Sequence, residues 1–405
     1  DVVKTYNGSL SVAGATTAPV AIVSGSATRL FGSDTLSGGS YAFTDANAGT
    51  GNRTVTVGSV TVNDGFAGGN YNVSYVDNTT STINTKLLTV TAQSQTKVYD
   101  AGTSVTSSAL VTGYSVAGLV GSESLSAVTL AYDSKDAGTR TITASDAVAG
   151  NNTLLSNYNV QYASNAASTI TPFIVSLDGG RVYNATRDVA AGVLTIGTLV
   201  NGEQLTLSGT GTLTGTKDVD DNKTFEISAL ALGNGTGLAS NYTLVGGARA
   251  VDITRATIST VSGITATDKT YNATTAAALV TSGATFNGMF SGDVLNVAAS
   301  AGVFSDARAA IGKTVSISGI TLGGADAGNY TLASDVGSTT ATINPKALTV
   351  TALSQTKVYD STTSVASTAL NTGYSVGTMV GSESLSGVAL AYSNPNVSRD
   401  GNGTV

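Results

Sequence analysis

The sequence predicts an all-β protein built as a tandem array of small β-sandwich modules of immunoglobulin-like size. Three observations carry this prediction. One long segment is nearly duplicated within the chain, three short sequence markers recur in a constant order, and apolar residues between turn signals alternate with a period of two. A β-grasp-like module is the alternative, because periodicity does not establish strand order.

The duplication is the first observation. The stretch "KLLTVTAQSQTKVYD" at residues 86–100 returns as "KALTVTALSQTKVYD" at residues 346–360, with 13 of 15 positions identical. The match continues to Tyr132 and Tyr392, with 22 of the next 32 positions identical. Internal repeats of this kind indicate a chain made of copies of one structural unit.

Three markers divide the rest of the chain into the same unit. The first has the pattern Lys/Arg-x-Tyr-Asn/Asp and contains Tyr6, Tyr99, Tyr183, Tyr271 and Tyr359. The second is the pair Asn-Tyr, which contains Tyr71, Tyr158, Tyr242 and Tyr330. The third is a small loop with an acid two residues before a leucine, which contains Asp34, Glu123, Glu203, Asp293 and Glu383. The tyrosines of the first marker are 93, 84, 88 and 88 residues apart, which defines a module of roughly 85 residues.

The markers predict four modules and part of a fifth. Copy 1 covers residues 1–85, copy 2 covers 86–172, copy 3 covers 173–254, copy 4 covers 255–344 and the partial copy 5 covers 345–405. The first strand of copy 1 and the end of copy 5 are missing from the pattern. We therefore expect the chain to be a portion of a longer array.

Alternation indicates strands rather than helices. In "KALTVTA" the side chains of Leu348 and Val350 are expected on one face and those of Thr349 and Thr351 on the other. "KTFEI" and "KTVSI" alternate in the same way, and turn formers such as "NDG", "NGTG" and "GADAGN" separate the runs. One short helical turn is the alternative within "TSVTSSALVTGYSV" at residues 103–116.

Composition excludes several classes of function. The chain contains no cysteine and no histidine, which removes disulfides, thiol and histidine catalysis, and soft-metal sites. The net charge is −7 and no basic stripe is present, which argues against a nucleic acid partner. No apolar run reaches the roughly 18 residues of a membrane span. We expect no enzyme activity and no cofactor.

Two kinds of residue are candidates for a site. The densest acidic cluster is "DVDDNK", whose Asp218, Asp220 and Asp221 resemble the start of a calcium loop. That loop lacks the glycine and the bidentate glutamate of a calcium site, so a solvated loop is the favoured interpretation. The recurring tyrosines are expected to bury their rings and to send their hydroxyls to loop acceptors, with glycan contact as the alternative. The recurring loop acids are interpreted as turn residues.

The repeat markers also carry a family resemblance. At "TKVYDAGTS", "TKVYDSTTS" and "KTYNATT", followed by "DAGNYTLAS" and "ATINPKALTVT", the sequence resembles the YDG and MBG repeat modules of large bacterial surface proteins. Many of those proteins are filamentous-haemagglutinin-like adhesins. The Tyr-Asp-Gly triplet is altered here, to "YDA" at residues 99–101 and "YDS" at residues 359–361. The resemblance implies an extracellular stalk or fibre and supplies no catalytic residues.

The predicted function is therefore structural. We expect a non-catalytic repeat region that acts as a stalk or self-associating fibre at the bacterial cell surface or in a secreted biofilm matrix. The alternative is an adhesin whose repeats bind glycans or partner cells. A module of roughly 40 Å predicts a rod of about 150–200 Å. Charge and proline are scarce in strands such as "KALTVTA", which favours pairing of strand edges between modules or chains.

Overall fold

The computed structural model describes residues 1–15, 30–105, 112–365 and 372–397. Strands make up almost all of its regular structure, and the helical elements described are 3-10 turns of three residues. The predicted all-β fold of repeated modules is confirmed. The helical turn considered within residues 103–116 falls mainly on residues 106–111, outside the described residues.

Copies 1 and 2 build three sheets. The strands of copy 1 are β1 (Val3–Thr5), β2 (Thr35–Phe43), β3 (Gly49–Asn63) and β4 (Asn78–Asn84), in the order β1-β4-β3-β2. The elements of copy 2 are β5 (Lys86–Ala92), β6 (Thr96–Val98), β7 (Tyr114–Ala117), β8 (Leu125–Tyr132), β9 (Gly138–Ala149), the 3-10 turn η1 (Leu155–Asn157), β10 (Tyr158–Ala163) and β11 (Asn165–Thr171). They form the sheets β10-β5-β7 and β6-β11-β9-β8.

Copy 3 consists of shorter strands. They are β12 (Phe173–Ile174), β13 (Leu177–Val182), β14 (Asp188–Ala190), β15 (Leu194–Ile196), β16 (Leu205–Ser208), β17 (Thr210–Leu213), β18 (Asp220–Lys223), β19 (Phe225–Glu226), β20 (Ala231–Asn234), β21 (Tyr242–Thr243) and β22 (Val251–Thr254). Three 3-10 turns interrupt them, η2 (Ala191–Val193), η3 (Val200–Gly202) and η4 (Ala239–Asn241). Strand β12 pairs with β21, β16 pairs with β20, and β14, β17 and β19 form a sheet in that order.

Copies 4 and 5 complete the described chain. The elements of copy 4 are β23 (Ala256–Ile258), β24 (Thr260–Ser262), β25 (Thr265–Ala266), β26 (Lys269–Thr270), β27 (Ala276–Ala277), β28 (Leu279–Val280), β29 (Thr285–Asn287), β30 (Asn296–Phe304), β31 (Ala310–Gly323), the 3-10 turn η5 (Ala327–Asn329), β32 (Tyr330–Leu332) and β33 (Gly337–Asn344). Its main sheet has the order β26-β33-β31-β30-β27. Copy 5 contributes β34 (Val350–Ala352) and β35 (Tyr374–Val376), which pair with each other.

Two parallel pairings recur from copy to copy. The strand before the first-marker tyrosine pairs with the last strand of its own copy, in β1–β4, β6–β11, β13–β22 and β26–β33. The strand that begins with the Asn-Tyr tyrosine pairs with the first strand of its copy, in β5–β10, β12–β21 and β23–β32. Parallel pairing needs a long connection between the partners, so residues distant in sequence hold each copy together.

The chain divides into two compact units whose boundary runs through copy 3. Unit 1 contains Asp1–Leu177, Thr195–Gly209 and Leu230–Ala248, and unit 2 contains Asp178–Leu194, Thr210–Ala229 and Arg249–Val405. Some strands of copy 3 therefore belong with copies 1 and 2, and others belong with copies 4 and 5. The compact units are staggered with respect to the sequence repeat.

The hydrophobic core of unit 1 crosses from one copy to the next. Phe43 and Ile83 of copy 1 pack in one cluster with Leu88 and Tyr158 of copy 2, and each of these side chains is at most 6 % exposed. Burial of one large apolar side chain stabilises a fold by about 1.5–3 kcal/mol. Consecutive copies in this unit are therefore joined by core packing rather than by a flexible linker.

The two copies of the "K-x-LTVTA" segment differ in their pairing. In copy 2 this segment is β5, a central strand that pairs with β10 on one side and β7 on the other. Its interpretation as an edge strand is therefore wrong for copy 2, because the Asn-Tyr strand covers the edge. In copy 5 only β34 is a strand, and it pairs with β35 alone.

Candidate functional site: a tyrosine–carboxylate clasp between consecutive copies

The first marker begins with a basic side chain that ties down the following loop. Lys4 is 1 % exposed, and its Nζ donates to Asn7 Oδ1 at 3.0 Å and to the carbonyls of Ser9 and Ser11 at 2.5 and 3.0 Å. An ammonium group has three donors, so this burial leaves none of them without an acceptor. Lys97, Lys269 and Lys357 make the same contacts three, five and seven residues ahead.

An aromatic ring lies beneath each of these lysines. The distance from Nζ to the ring centroid is 4.9 Å for Lys4 over Phe43 and 5.3 Å for Lys97 over Tyr132. The pairs Lys269–Phe304 and Lys357–Tyr392 repeat the contact. A cation over an aromatic face is attracted by the ring quadrupole, which compensates part of the lost hydration. In copy 3 both partners differ, because Arg181 replaces the lysine and Leu213 replaces the ring.

The residue two positions after the first-marker tyrosine adopts a left-handed backbone. Its φ is 70° at Gly8, 61° at Ala101, 60° at Ala185, 58° at Ala273 and 61° at Ser361. Only glycine takes this conformation without a steric cost from Cβ. The glycine of the Tyr-Asp-Gly triplet therefore has a conformational reason, and copies 2 to 5 retain the conformation without the glycine.

We predict that Ala101→Gly stabilises the chain by about 1 kcal/mol, because it relieves the left-handed strain at this position. The reciprocal change Gly8→Ala should destabilise it by about the same amount. Denaturant unfolding of the two variants measures both effects. A stabilising Gly8→Ala change would contradict the conformational explanation.

The tyrosine of the first marker reaches the acid of the next copy. In unit 1 the hydroxyl of Tyr6 donates to Glu123 Oε1 at 2.6 Å, and the hydroxyl of Tyr158 donates to Glu123 Oε2. The rings of the two tyrosines meet edge to face, with centroids 5.4 Å apart. We call this arrangement the clasp: one carboxylate of a copy that holds the first-marker tyrosine of the preceding copy and the Asn-Tyr tyrosine of its own copy.

The clasp occurs twice more. In unit 1 Tyr99 and Tyr242 donate to the two oxygens of Glu203 at 2.8 and 2.7 Å, with ring centroids 5.5 Å apart. In unit 2 Tyr183 and Tyr330 both donate to Asp293 Oδ2, at 2.9 and 2.6 Å, with the same ring separation. The Nζ of Lys217 also contacts the buried carboxylate of Asp293.

The asparagine of the Asn-Tyr pair makes a second joint beside each clasp. Asn157 accepts from the backbone N–H of Ala48 at 2.8 Å and donates its amide to Asn47 at 3.0 Å. Asn241 makes the same two bonds to Ala137 and Asp136, and Asn329 makes them to Val219 and Asp218. Each of these asparagines is at most 4 % exposed.

The first and last copies carry parts of this arrangement. Tyr71 of copy 1 donates to Asp34 at 2.7 Å. Tyr271 of copy 4 donates to Glu383 of copy 5. Tyr359 is 57 % exposed.

The repeated geometry agrees with a comparison of the sequence with protein families. The YDG domain family matches the chain four times, over residues 1–81, 84–167, 166–250 and 254–341. The chain belongs to the YDG domain family. A search of curated protein sequences gave no match.

The three positions of the YDG triplet have separate physical tasks in this chain. The tyrosine hydroxyl joins a copy to the acid of the next one, as Tyr99 does with Glu203. The Asp or Asn receives the lysine, as Asp100 does from Lys97 at 2.6 Å. The third position provides the left-handed turn that brings the loop carbonyls over the lysine.

Burial and the neighbouring carboxylate make the clasp tyrosines weak acids. Burial, followed by the hydrogen bond to Glu203, raises the pKa of Tyr99 to about 12. The same two causes raise the pKa of Tyr158, Tyr242 and Tyr330. Burial also pushes the pKa of Asp293 upward, but hydrogen bonds from Lys217 and the two tyrosines outweigh it and hold that pKa below its ordinary value. The pKa shifts of Tyr99 and Asp293 therefore favour a neutral tyrosine and an ionised acid.

We predict that the YDG copies lose stability at alkaline pH. An unfolded tyrosine ionises near pH 10, whereas folded Tyr99 keeps its proton to about pH 12. Because the folded pKa is the higher one, the stabilisation is complete below about pH 10 and disappears as pH rises towards the folded value. Unfolding free energies measured from about pH 8 to about pH 12 should fall above about pH 10, and those of Tyr99→Phe should fall less steeply. A flat profile would refute the prediction.

The acidic candidates for calcium do not meet at one point. The carboxylate of Asp218 accepts from the amide of Asn329 at 2.9 Å, whereas Asp220 and Asp221 are exposed in β18. Among the described residues, no group of three or more acidic side chains is arranged to hold a metal ion. Asp218 thus takes part in the joint between copies 3 and 4 in unit 2.

Sequence reasoning identifies the residues of the clasp without their connection. It recognises the tyrosines and the loop acids as markers, but it interprets the acids as turn residues. It assigns no role to the buried lysine or to the joint-forming asparagine. The signal that these side chains act together is their constant offset from the tyrosines, which is present in the sequence.

Proposed function

We propose that this chain is a non-catalytic structural region of a bacterial extracellular surface protein, in which YDG copies act as a stalk or self-associating fibre. The observation that supports the proposal is the clasp. The side chains that recur in every complete copy are used in joining one copy to the next. A module whose recurring residues serve a joint is suited to bearing load along an array.

The burial of the clasp tyrosines favours this function over direct glycan binding. Tyr6, Tyr99, Tyr183, Tyr158, Tyr242 and Tyr330 are at most 6 % exposed. A tyrosine that stacks on a sugar needs an accessible ring face, and these rings pack on each other instead. A glycan array probed with the whole chain tests the alternative. Reproducible binding that survives Tyr99→Phe would favour an adhesin whose ligand site lies elsewhere on a copy.

The bacterial surface location in this proposal comes from the sequence resemblance to filamentous-haemagglutinin-like adhesins. Two further observations are compatible with it. The chain has no cysteine that oxidation would cross-link. No helix among the described residues is long and apolar enough to cross a membrane. Immunolabelling of intact cells of the source organism tests the location, and signal only after cell lysis would refute it.

Small-angle scattering of the purified chain tests the stalk. The number of modules and their estimated length predict a maximum dimension of about 150–200 Å at low protein concentration. A compact particle would contradict the stalk proposal. Scattering from Glu203→Ala provides a comparison, because loss of one clasp should loosen the array without shortening the chain.

A further inference from the structure

Unit 2 contains a groove at the start of copy 5. The cavity has a volume of about 730 Å³ and runs beside the segment Pro345–Leu348. Its other walls include Tyr271, Met379, Val380 and Glu383. The groove is therefore mainly apolar and carries one carboxylate.

The equivalent surface of copy 2 is covered by a strand. There Tyr158, Asn159 and Val160 lie in parallel register opposite Lys86, Leu87 and Leu88. The groove of copy 5 is built from nearly the same residues, since "KLLTVTA" at 86–92 corresponds to "KALTVTA" at 346–352 and "GSESLS" occurs at both 121–126 and 381–386. The groove thus has the chemistry of a seat for an Asn-Tyr strand.

The carboxylate in the groove is one tyrosine short of a complete clasp. Glu203 holds Tyr99 on one oxygen and Tyr242 on the other. Glu383 holds Tyr271 through Oε1, and no described residue donates a hydrogen bond to its Oε2. A second tyrosine hydroxyl is the group that the other junctions place there.

A matching strand occurs in copy 1. The sequence "NYNVSY" at residues 70–75 differs at one position from "NYNVQY" at residues 157–162, which includes the start of β10. Residues 71–77 are not assigned to any strand, although their counterparts 158–163 are. Val73 and Val76 are 41 % and 84 % exposed. Copy 1 thus presents an Asn-Tyr segment without a partner strand.

We propose that the segment Asn70–Val76 of one molecule adds as a parallel strand to Lys346–Ala352 of a second molecule, with Tyr71 opposite Lys346 and its hydroxyl on Glu383. The exchange of the Tyr71–Asp34 bond for a Tyr71–Glu383 bond is even in hydrogen bonds. The gains are the backbone pairing and burial of Val73, as in other cases of strand addition. This inference deepens the proposed fibre function by naming the joint between molecules, and it rests on that function.

Sedimentation velocity over roughly 1–100 μM protein tests the pairing, and affinities in this range correspond to the micromolar scale of strand addition. We expect a mass that rises with concentration. Val73→Asp, which places a charge in the groove, and Glu383→Gln, which removes the carboxylate, should each weaken association at least about tenfold. Val336→Asp is the matched control, because Val336 is 59 % exposed and lies outside both partners.

A competing peptide separates the sites from general stickiness. The peptide "LSNYNVQYA", residues 155–163 of the chain, should bind the groove and block association, whereas the same peptide with Val160→Asp should not. A monomer at every concentration would overturn the proposal, as would association that resists both Val73→Asp and the peptide. Scattering at low concentration keeps the two proposals apart: an extended monomer would overturn the strand pairing and leave the stalk, whereas a compact particle would overturn the stalk.

Discussion

Replacing Asp293 with alanine should lower the free energy of unfolding by about 3–5 kcal/mol. The carboxylate of Asp293 accepts from Tyr183 and Tyr330 and contacts Lys217, and its side chain is fully buried. Its loss leaves two buried hydroxyls without an acceptor and an ammonium without its counter-charge. Denaturant unfolding monitored by tyrosine fluorescence measures the change.

Asp34→Ala is the matched control for this experiment. Asp34 is the equivalent acid of copy 1, it is half-buried, and Tyr71 is the tyrosine that donates to it. We expect this change to cost about 1 kcal/mol, the typical net value of a single hydrogen bond. Equal losses from the two substitutions would contradict a stabilising role for the complete clasp.

Lys4→Met should cost about 2–3 kcal/mol, because it removes an ammonium that satisfies three acceptors inside the loop of copy 1. Methionine keeps most of the apolar stem, so the loss reports on the charged group. Burial lowers the pKa of Lys4 and thus opposes its charge, so the hydrogen bonds must outweigh this cost for the lysine to be stabilising. The same unfolding measurement determines the value.

Lys357→Met supplies the comparison for Lys4. Lys357 donates to Asp360 and to the carbonyls of Thr362 and Ser364, which is the same pattern in a more exposed loop. Its partner Asp360 is 53 % exposed, so water can replace the lost bonds. The expected cost is below about 1 kcal/mol, as for surface ion pairs. A neutral Lys4→Met change would show that burial of the ammonium costs as much as its bonds return.

The sequence alone determined the repeat, its length and its all-β character. A period of two with β-branched residues is a local property, and so are the turn signals between strands. The markers around Tyr99 and Tyr158 could be counted without any structure. They also showed that the chemistry of catalysis was poorly supplied, since histidine and cysteine are absent from the chain.

Only the tertiary structure decided which side chains meet. Glu123 and Tyr6 are 117 residues apart, and their hydrogen bond depends on how copy 1 packs against copy 2 in unit 1. The parallel pairing of β5 with β10 likewise joins residues about 72 positions apart, as in Tyr158 opposite Lys86. Periodicity reports which face of a strand is buried, but it carries no information on the partner of that face. The change of the loop acids from turn residues to buried acceptors, and of Lys4 from a surface charge to a core side chain, follows from these long-range contacts.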